Sequence, residues 1–282
     1  IDPINGEDSG LINAIQEQTL TIGSPYQIKI NNTETSLTAG QVSGSLLIGL
    51  YDLAGNVSIT NENQTILLQT QDMLGEFSLS QTNFEQGIFE TTIESGLATL
   101  DVYFNHKVAA IHEITASGLG LVEATKTIQI NAGNFAKFGF TNEDINVVTG
   151  DISLVNIESQ DKYGNKVPVD RNIKVYLYTS NGYGEFSAQS NFGSTIRYVT
   201  MPLNSDSSSF YFKQNKYFAD QKIILSDNSG QPDSVGIIDG KKQVNLLSGS
   251  ITSLSIEKES INAKAGEEIE INVYVKNEFN KI

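Results

Sequence analysis

The aspartates of a D-x-x-G-N step are the residues whose type and spacing best suit ion chemistry. The step runs from Asp52 to Asn56 and again from Asp161 to Asn165. Carboxylate oxygens are the ligands calcium prefers, which makes Asp52 and Asp161 candidate calcium ligands. The plainer reading is a turn, in which the Asp side chain accepts backbone N–H groups and the glycine takes a positive φ without a Cβ clash. On that reading Asp52, Gly55, Asn56, Asp161, Gly164 and Asn165 are structural. In a third copy, Asn277 to Asn280, Asn280 stands at the glycine position, and Asn is the next best residue for a left-handed conformation. Asp227 and Asp233 enclose a polar stretch with the oxygen spacing of a calcium loop. The stretch lacks the dense Asp pattern and bidentate Glu of an EF-hand, so a polar hairpin loop is the better reading.

Other candidates are weaker. The chain has no cysteine and only two histidines, His106 and His112. Thiolate sites and a His-rich metal site are therefore excluded, and the two histidines are expected in structural or surface roles. Glu143–Asp144 and Glu267–Glu268 read as solvated loops. Lys29 is of the type that enters internal isopeptide cross-links, which also need a buried acid beside them. Asn56 and Asn63 open glycosylation sequons that arise by chance in an Asn- and Thr-rich chain. Tyr176, Tyr178, Tyr183, Phe186, Tyr211, Phe212 and Tyr217 offer stacking surfaces for a glycan or protein, although such residues more often pair across strands. No nucleophile–base arrangement emerges, and the chain is not expected to be an enzyme.

The chain as a whole sets the frame for these side chains. With 18 Lys+Arg against 33 Asp+Glu, its formal charge is -15. That argues against nucleic acid, whose phosphates need cationic partners, and against docking on anionic membrane. No apolar run approaches the length of a membrane span. The opening Ile1-Asp2-Pro3 reads as the start of an excised piece. At 282 residues the chain has room for two domains.

Those domains announce themselves as repeats. Gly75-Glu76-Phe77-Ser78 recurs as Gly184-Glu185-Phe186-Ser187, at the same interval that separates Asp52 from Asp161. Gly23, Gly133 and Gly249 close three similar segments. The expected organisation is a tail of a preceding repeat or linker at 1–23, sandwiches at 24–133 and 134–249, and the opening strands of an incomplete domain at 250–282. Within the repeats, alternation such as Leu46, Ile48, Leu50 against Leu47, Gly49, Tyr51 predicts strands with one buried face. Expected strands cover 26–30, 46–51, 66–70, 97–104, 110–116 and 127–131, then 136–140, 155–160, 173–178, 209–212, 222–225 and 243–246. Only residues 11–18 permit a helix, and the repeat register makes their end a strand. About seven strands per roughly 110 residues is the signature of a β-sandwich.

At the D-x-x-G-N step, with Gly96-Leu97-Ala98-Thr99 and Ile114-Thr115-Ala116-Ser117 behind it, the chain resembles the bacterial immunoglobulin-like repeats of the invasin and intimin type. The second repeat departs at Asp206–Phe210 and Ile224–Asp227. The resemblance implies an all-β, tandem immunoglobulin-like array, rod-like, on a prokaryotic surface. It implies an extracellular stalk, adhesin or surface-layer segment with neighbouring domains of the same chain as partners, and no catalytic residues. A glycan- or host-protein-binding module and the accessory domains of a large secreted enzyme are the alternatives.

Overall fold

The computed structural model describes residues 16–233, 235–247, 251–256 and 262–277. Gly249, Glu278 to Asn280 and residues 1–15, on which some of the sequence expectations fall, lie outside them. The described residues form strands, turns and irregular chain without helix, and no helix is long and apolar enough to cross a membrane. Contacts divide the chain into two compact units. Described residues up to Leu37, with Gln41–His106 and Ile111–Gln129, make the first, and Thr38–Gly40, Lys107–Ala110 and the residues from Ile130 onward make the second.

The first set of strands is β1 (Gln27–Asn31), β2 (Ser36–Thr38), β3 (Leu46–Tyr51), β4 (Gln64–Thr70), β5 (Glu76–Ser78), β6 (Glu85–Gln86), β7 (Phe89–Ile93), β8 (Thr99–Asn105), β9 (Ile111–Ser117) and β10 (Ala124–Asn131). They form two five-stranded sheets, in the orders β1-β3-β8-β5-β6 and β2-β10-β9-β4-β7. Alternation sends Leu46, Ile48 and Leu50 of β3 inward to meet Ile66 and Leu68 of β4, Phe104 of β8 and Ile114 of β9, all fully buried. Phe77 packs on Phe104 at 5.2 Å between ring centroids.

The second set is β11 (Lys137–Phe140), β12 (Ile145–Val148), β13 (Ile152–Gln160), β14 (Ile173–Thr179), β15 (Gly184–Ser187), β16 (Tyr198–Met201), β17 (Ser207–Gln214), β18 (Lys222–Ser226) and β19 (Gly240–Leu247). Its sheets run β11-β13-β17-β15 and β12-β19-β18-β14-β16. The core gathers Val155, Ile157, Val175, Phe186, Phe210, Phe212, Ile223 and Leu225. Apart from the edge strand β6, which has no counterpart, this repeats the first order, with the opening strand split between the two sheets and its second half, β12, lying parallel to the last strand, β19. β20 (Ile251–Ile256) and β21 (Val273–Asn277) form one further antiparallel pair.

The recurrence of Gly-Glu-Phe-Ser has a packing cause. A Cβ on Gly184 would come within 2.5 Å of both the Phe212 ring and the Thr179 methyl, and one on Gly75 within 2.6 Å of the Thr70 methyl and 3.1 Å of the Phe104 ring. A core Phe on the neighbouring strand leans over the glycine in each unit, and no side chain fits there.

Several strands fall outside the sequence expectations, namely β2, β5, β6, β7, β12, β15 and β16. Most are two to four residues long, too short to display a period. One expectation is corrected. The repeat register predicts a strand at the end of residues 11–18, but residues 16–26 are irregular and Leu20, just beyond, is 94% exposed. A strand is defined by its ladder, and among the described residues no ladder includes this segment.

Candidate functional site

The two D-x-x-G-N steps close the strands β3 and β13 in the same way. The Asp52 N–H donates to Asn56 O at 2.9 Å and the Gly55 N–H to Asp52 O at 3.0 Å; the counterparts at Asp161 measure 2.8 and 3.1 Å. Gly55 and Gly164 sit at φ 89° and 96°, the left-handed region that glycine enters freely. The carboxylates then reach back along the chain. Asp52 Oδ2 accepts the N–H of Gly23 at 3.0 Å and Asp161 Oδ2 that of Gly133 at 2.9 Å. Asp161 Oδ1 also takes the N–H groups of Tyr163 and Asn165, and Asn165 Nδ2 donates to Oδ2 at 2.8 Å. Asn56 donates its backbone N–H and side-chain amide to Asp52.

These contacts set the acidity of both groups. The Asn56 amide foremost, then the N–H groups of Gly23 and Asn56, hold Asp52 below its ordinary value. Burial pushes Asp161 up, but Asn165, Gly133 and Tyr163 outweigh it and its pKa is lowered. The geometry favours the turn reading over calcium at Asp52 and Asp161. Their oxygens are taken by N–H donors, whose positive ends repel a cation. Each aspartate ties its own unit's opening glycine to the end of a central strand.

Asp227 and Asp233 do come together, and Asp239, which no spacing in the sequence marks, joins them. One carboxylate oxygen from each lies within 4.8 Å of the others. The Val235 N–H and the Asn228 amide donate to Asp233, while Asp227 Oδ1 and Asp239 Oδ1 are buried without a hydrogen-bond partner. Asp239 stands just ahead of β19, and only the closing of the intervening loop brings it in.

The two histidines, expected from the sequence in structural or surface roles, come together with one carboxylate. β4 and β9 pair with Thr70 opposite Ile114, a register that, carried two residues beyond the ladder, sets Asp72 opposite His112. His106 follows β8 and turns inward like Phe104, two residues earlier. The two rings lie 3.6 Å apart. His106 Nε2 is 3.1 Å and His112 Nδ1 3.3 Å from the same oxygen, Asp72 Oδ2. Both imidazoles are buried, while the Asp72 side chain remains 33% exposed. Burial opposes ionisation of Asp72, but the Leu74 N–H, the Thr70 hydroxyl and His106 together bring its pKa down to about 2. No local motif marks this trio. Its members stand at the ends of three different strands and meet only through sheet register.

The aromatic residues divide. Phe186 and Phe212 are core, as is Phe210. Tyr178 is half-buried with its hydroxyl donating to Asn228 O at 2.6 Å, so it is not an exposed stacking residue. Tyr183 is exposed and stacks on Phe218 at 5.1 Å. A groove of about 710 Å³ in the second unit is edged by Tyr176, Tyr178, Tyr198, Arg197 and Glu185. Lys29 Nζ lies over the Tyr51 ring, and Glu267 accepts the Lys264 N–H in an ordinary turn. Glu143 and Asp144 are exposed.

No family model and no curated protein matches the chain. Solved structures do match. The S-layer protein rSbsC(31-844) is 10% identical over 93% of this chain and 32% of its own, with a TM-score of 0.28. FdeC, an Escherichia coli adhesin, is 12% identical over 93% of this chain and 77% of its own, with a TM-score of 0.31. Invasin, a bacterial integrin-binding protein, is 12% identical over 93% and 47%, with a TM-score of 0.30. The chain thus spans about a third of the S-layer protein and about half of invasin. The fold is decided by the strand order of the chain itself. Each unit is an immunoglobulin-like sandwich. The opening strand, split between sheets and parallel to the closing one, is the arrangement of that architecture without its disulfide and Trp.

Proposed function

We propose that this chain is a non-catalytic structural segment of a prokaryotic surface protein, a stalk or lattice piece in which serial immunoglobulin-like sandwiches set distance and bear load. The observation that carries this reading is the pairing of β12 with β19. The two strands lie parallel over Ile145–Val148 and Val244–Leu247, and Thr149 adds both N–H and hydroxyl bonds to Leu247 O. Tension applied at the two ends of the unit loads that ladder in shear, so its bonds resist together and do not unzip singly. The ties from Asp52 to Gly23 and from Asp161 to Gly133 fasten the entering chain to each sandwich in support of the same role. The net charge of -15 keeps neighbouring segments apart. The extracellular location and the rod-like spacing belong to this proposal.

Single-molecule stretching of the whole chain tests it. Two separate unfolding events of similar contour length are expected, each at a force well above that needed to peel a hairpin. Unfolding at hairpin-like force, or in one merged event, would remove the load-bearing role.

The groove beside Tyr176 and Tyr198 favours a second reading, an immunoglobulin-like module that recognises a glycan. Glycan-array binding that is lost in Tyr198→Ala, with the melting temperature unchanged, is the result expected of it. A silent array leaves the structural reading alone.

A further inference from the structure

The trio Asp72, His106 and His112 has a counterpart in the second unit against which its chemistry stands out. β14 and β18 pair with Thr179 opposite Ile223, as β4 and β9 pair with Thr70 opposite Ile114. Asn181 and Gln221 therefore occupy the places of Asp72 and His112. Phe186 faces Phe212 as Phe77 faces Phe104, which puts Gln214 in the place of His106. The supporting bonds are also shared. Asn181 Oδ1 accepts the Tyr183 N–H at 3.0 Å, as Asp72 Oδ1 accepts that of Leu74 at 3.0 Å. Gly184 donates to Thr179 Oγ1 and Gly75 to Thr70 Oγ1. One scaffold thus holds three amides in the second unit and two imidazoles with a carboxylate in the first.

The amide set is poorly satisfied. Asn181 Nδ2, Gln214 Oε1 and Gln221 Oε1 are buried without hydrogen-bond partners, so this end of the fold encloses polar atoms whichever side chains fill it. In the first unit the polar atoms are of another kind. One ligand-type atom from each residue lies within 4.8 Å of the others, and Asp72 Oδ2 stands 3.1 and 3.3 Å from the two imidazole nitrogens. Ligands on one tetrahedral zinc ion, with bonds of about 2.0–2.1 Å, are roughly 3.3 Å apart. The carboxylate is also oriented. Its Oδ1 accepts the Thr70 hydroxyl at 2.7 Å and the Leu74 N–H and lies 3.3 Å from His106 Nε2, which leaves Oδ2 the nearer oxygen to that ring. Outer-shell bonds of this kind fix metal-binding carboxylates.

We propose that Asp72, His106 and His112 bind one divalent first-row transition ion, of which zinc is the type. The ligands are Asp72 Oδ2, His106 Nε2 and His112 Nδ1, and the position on the solvent side of Asp72 is left to water. Two imidazoles with one carboxylate suit this class of ion over calcium, which prefers oxygen ligands throughout. The bound ion ties together the ends of β4, β8 and β9, a cross-link that a sandwich without cysteine cannot make by disulfide.

The test is calorimetric titration of the whole chain with zinc chloride, and with cobalt(II) as a visible-light probe. One equivalent is expected to bind, with a rise in melting temperature and with the ligand-field bands of a low-coordinate cobalt site. Asp72→Asn should abolish stoichiometric binding while leaving the far-UV spectrum of the free protein unchanged. His106→Gln and His112→Gln, which install the residues of the second unit, should do the same. Thr70→Val, which frees the carboxylate from its orienting hydroxyl, should weaken binding by about 10–100-fold. Asp233→Asn, in the separate aspartate cluster, should change nothing. Zinc binding that survives in Asp72→Asn, that disappears in Asp233→Asn, or that is too weak to saturate at millimolar ion overturns the assignment.

Discussion

Replacing Phe212 with alanine is expected to cost the second unit about 3–5 kcal/mol, the usual range for emptying an aromatic site in a rigid core. Phe212 is fully buried and its ring centroid lies 5.6 Å from that of Phe186 across the β15–β17 ladder. The site cannot collapse easily, because the ring roofs Gly184, whose absent side chain leaves nothing to move into the space. A single sandwich is stabilised by roughly 5–15 kcal/mol, so the substitution consumes a large share of the margin. Amide exchange followed residue by residue should show protection falling throughout β13, β14, β17 and β18, while the core around Phe104 in the first unit keeps its own. A cost below about 1 kcal/mol, or an equal loss in both units, would contradict this account of the core.

The second large effect is expected at Asp161. Its carboxylate accepts four donors, the N–H groups of Gly133, Tyr163 and Asn165 and the Asn165 amide, and it is fully buried. Asp161→Ala leaves these donors facing a void, at a cost of about 2–4 kcal/mol given that each stranded donor costs about 1–3 kcal/mol and some regain water. The pH dependence carries a definite sign. The folded pKa of Asp161 is lowered, so its contribution is complete above the unfolded carboxylate value of about 3.9 and drains away as pH falls through the lower folded value. Acid titration of the wild-type chain should therefore lose stability in that window, and Asp161→Ala should flatten the loss in the second unit. A variant as stable as the wild type at neutral pH would show that the clamp on Gly133 is incidental.

The turn at Asp161 was legible before any coordinates because its cause is local. An Asp, a glycine with positive φ and an Asn in close succession define it, and it recurs at Asp52. The partner of the carboxylate was not legible. Gly133 lies 28 residues upstream of Asp161 and reads in the chain as a plain linker residue. β3 and β13 could be anticipated, since six and nine residues show two or more periods of alternation. β5 and β15 could not, because three or four residues show none, although the repeated Gly-Glu-Phe-Ser was visible. Its meaning came only with the rings of Phe104 and Phe212 above the glycines.

The order of residues by itself determined the all-strand character, the repeat and the turn chemistry, since each is written in spacings within a single strand or turn, or in copies one domain length apart. The convergence of Asp72 with His106 and His112, and of Asp239 with Asp227 and Asp233, was decided only by tertiary structure. The physical reason is the sheet itself. Its ladders join residues by register and not by sequence distance, so three strand ends can meet at one point with no trace along the chain.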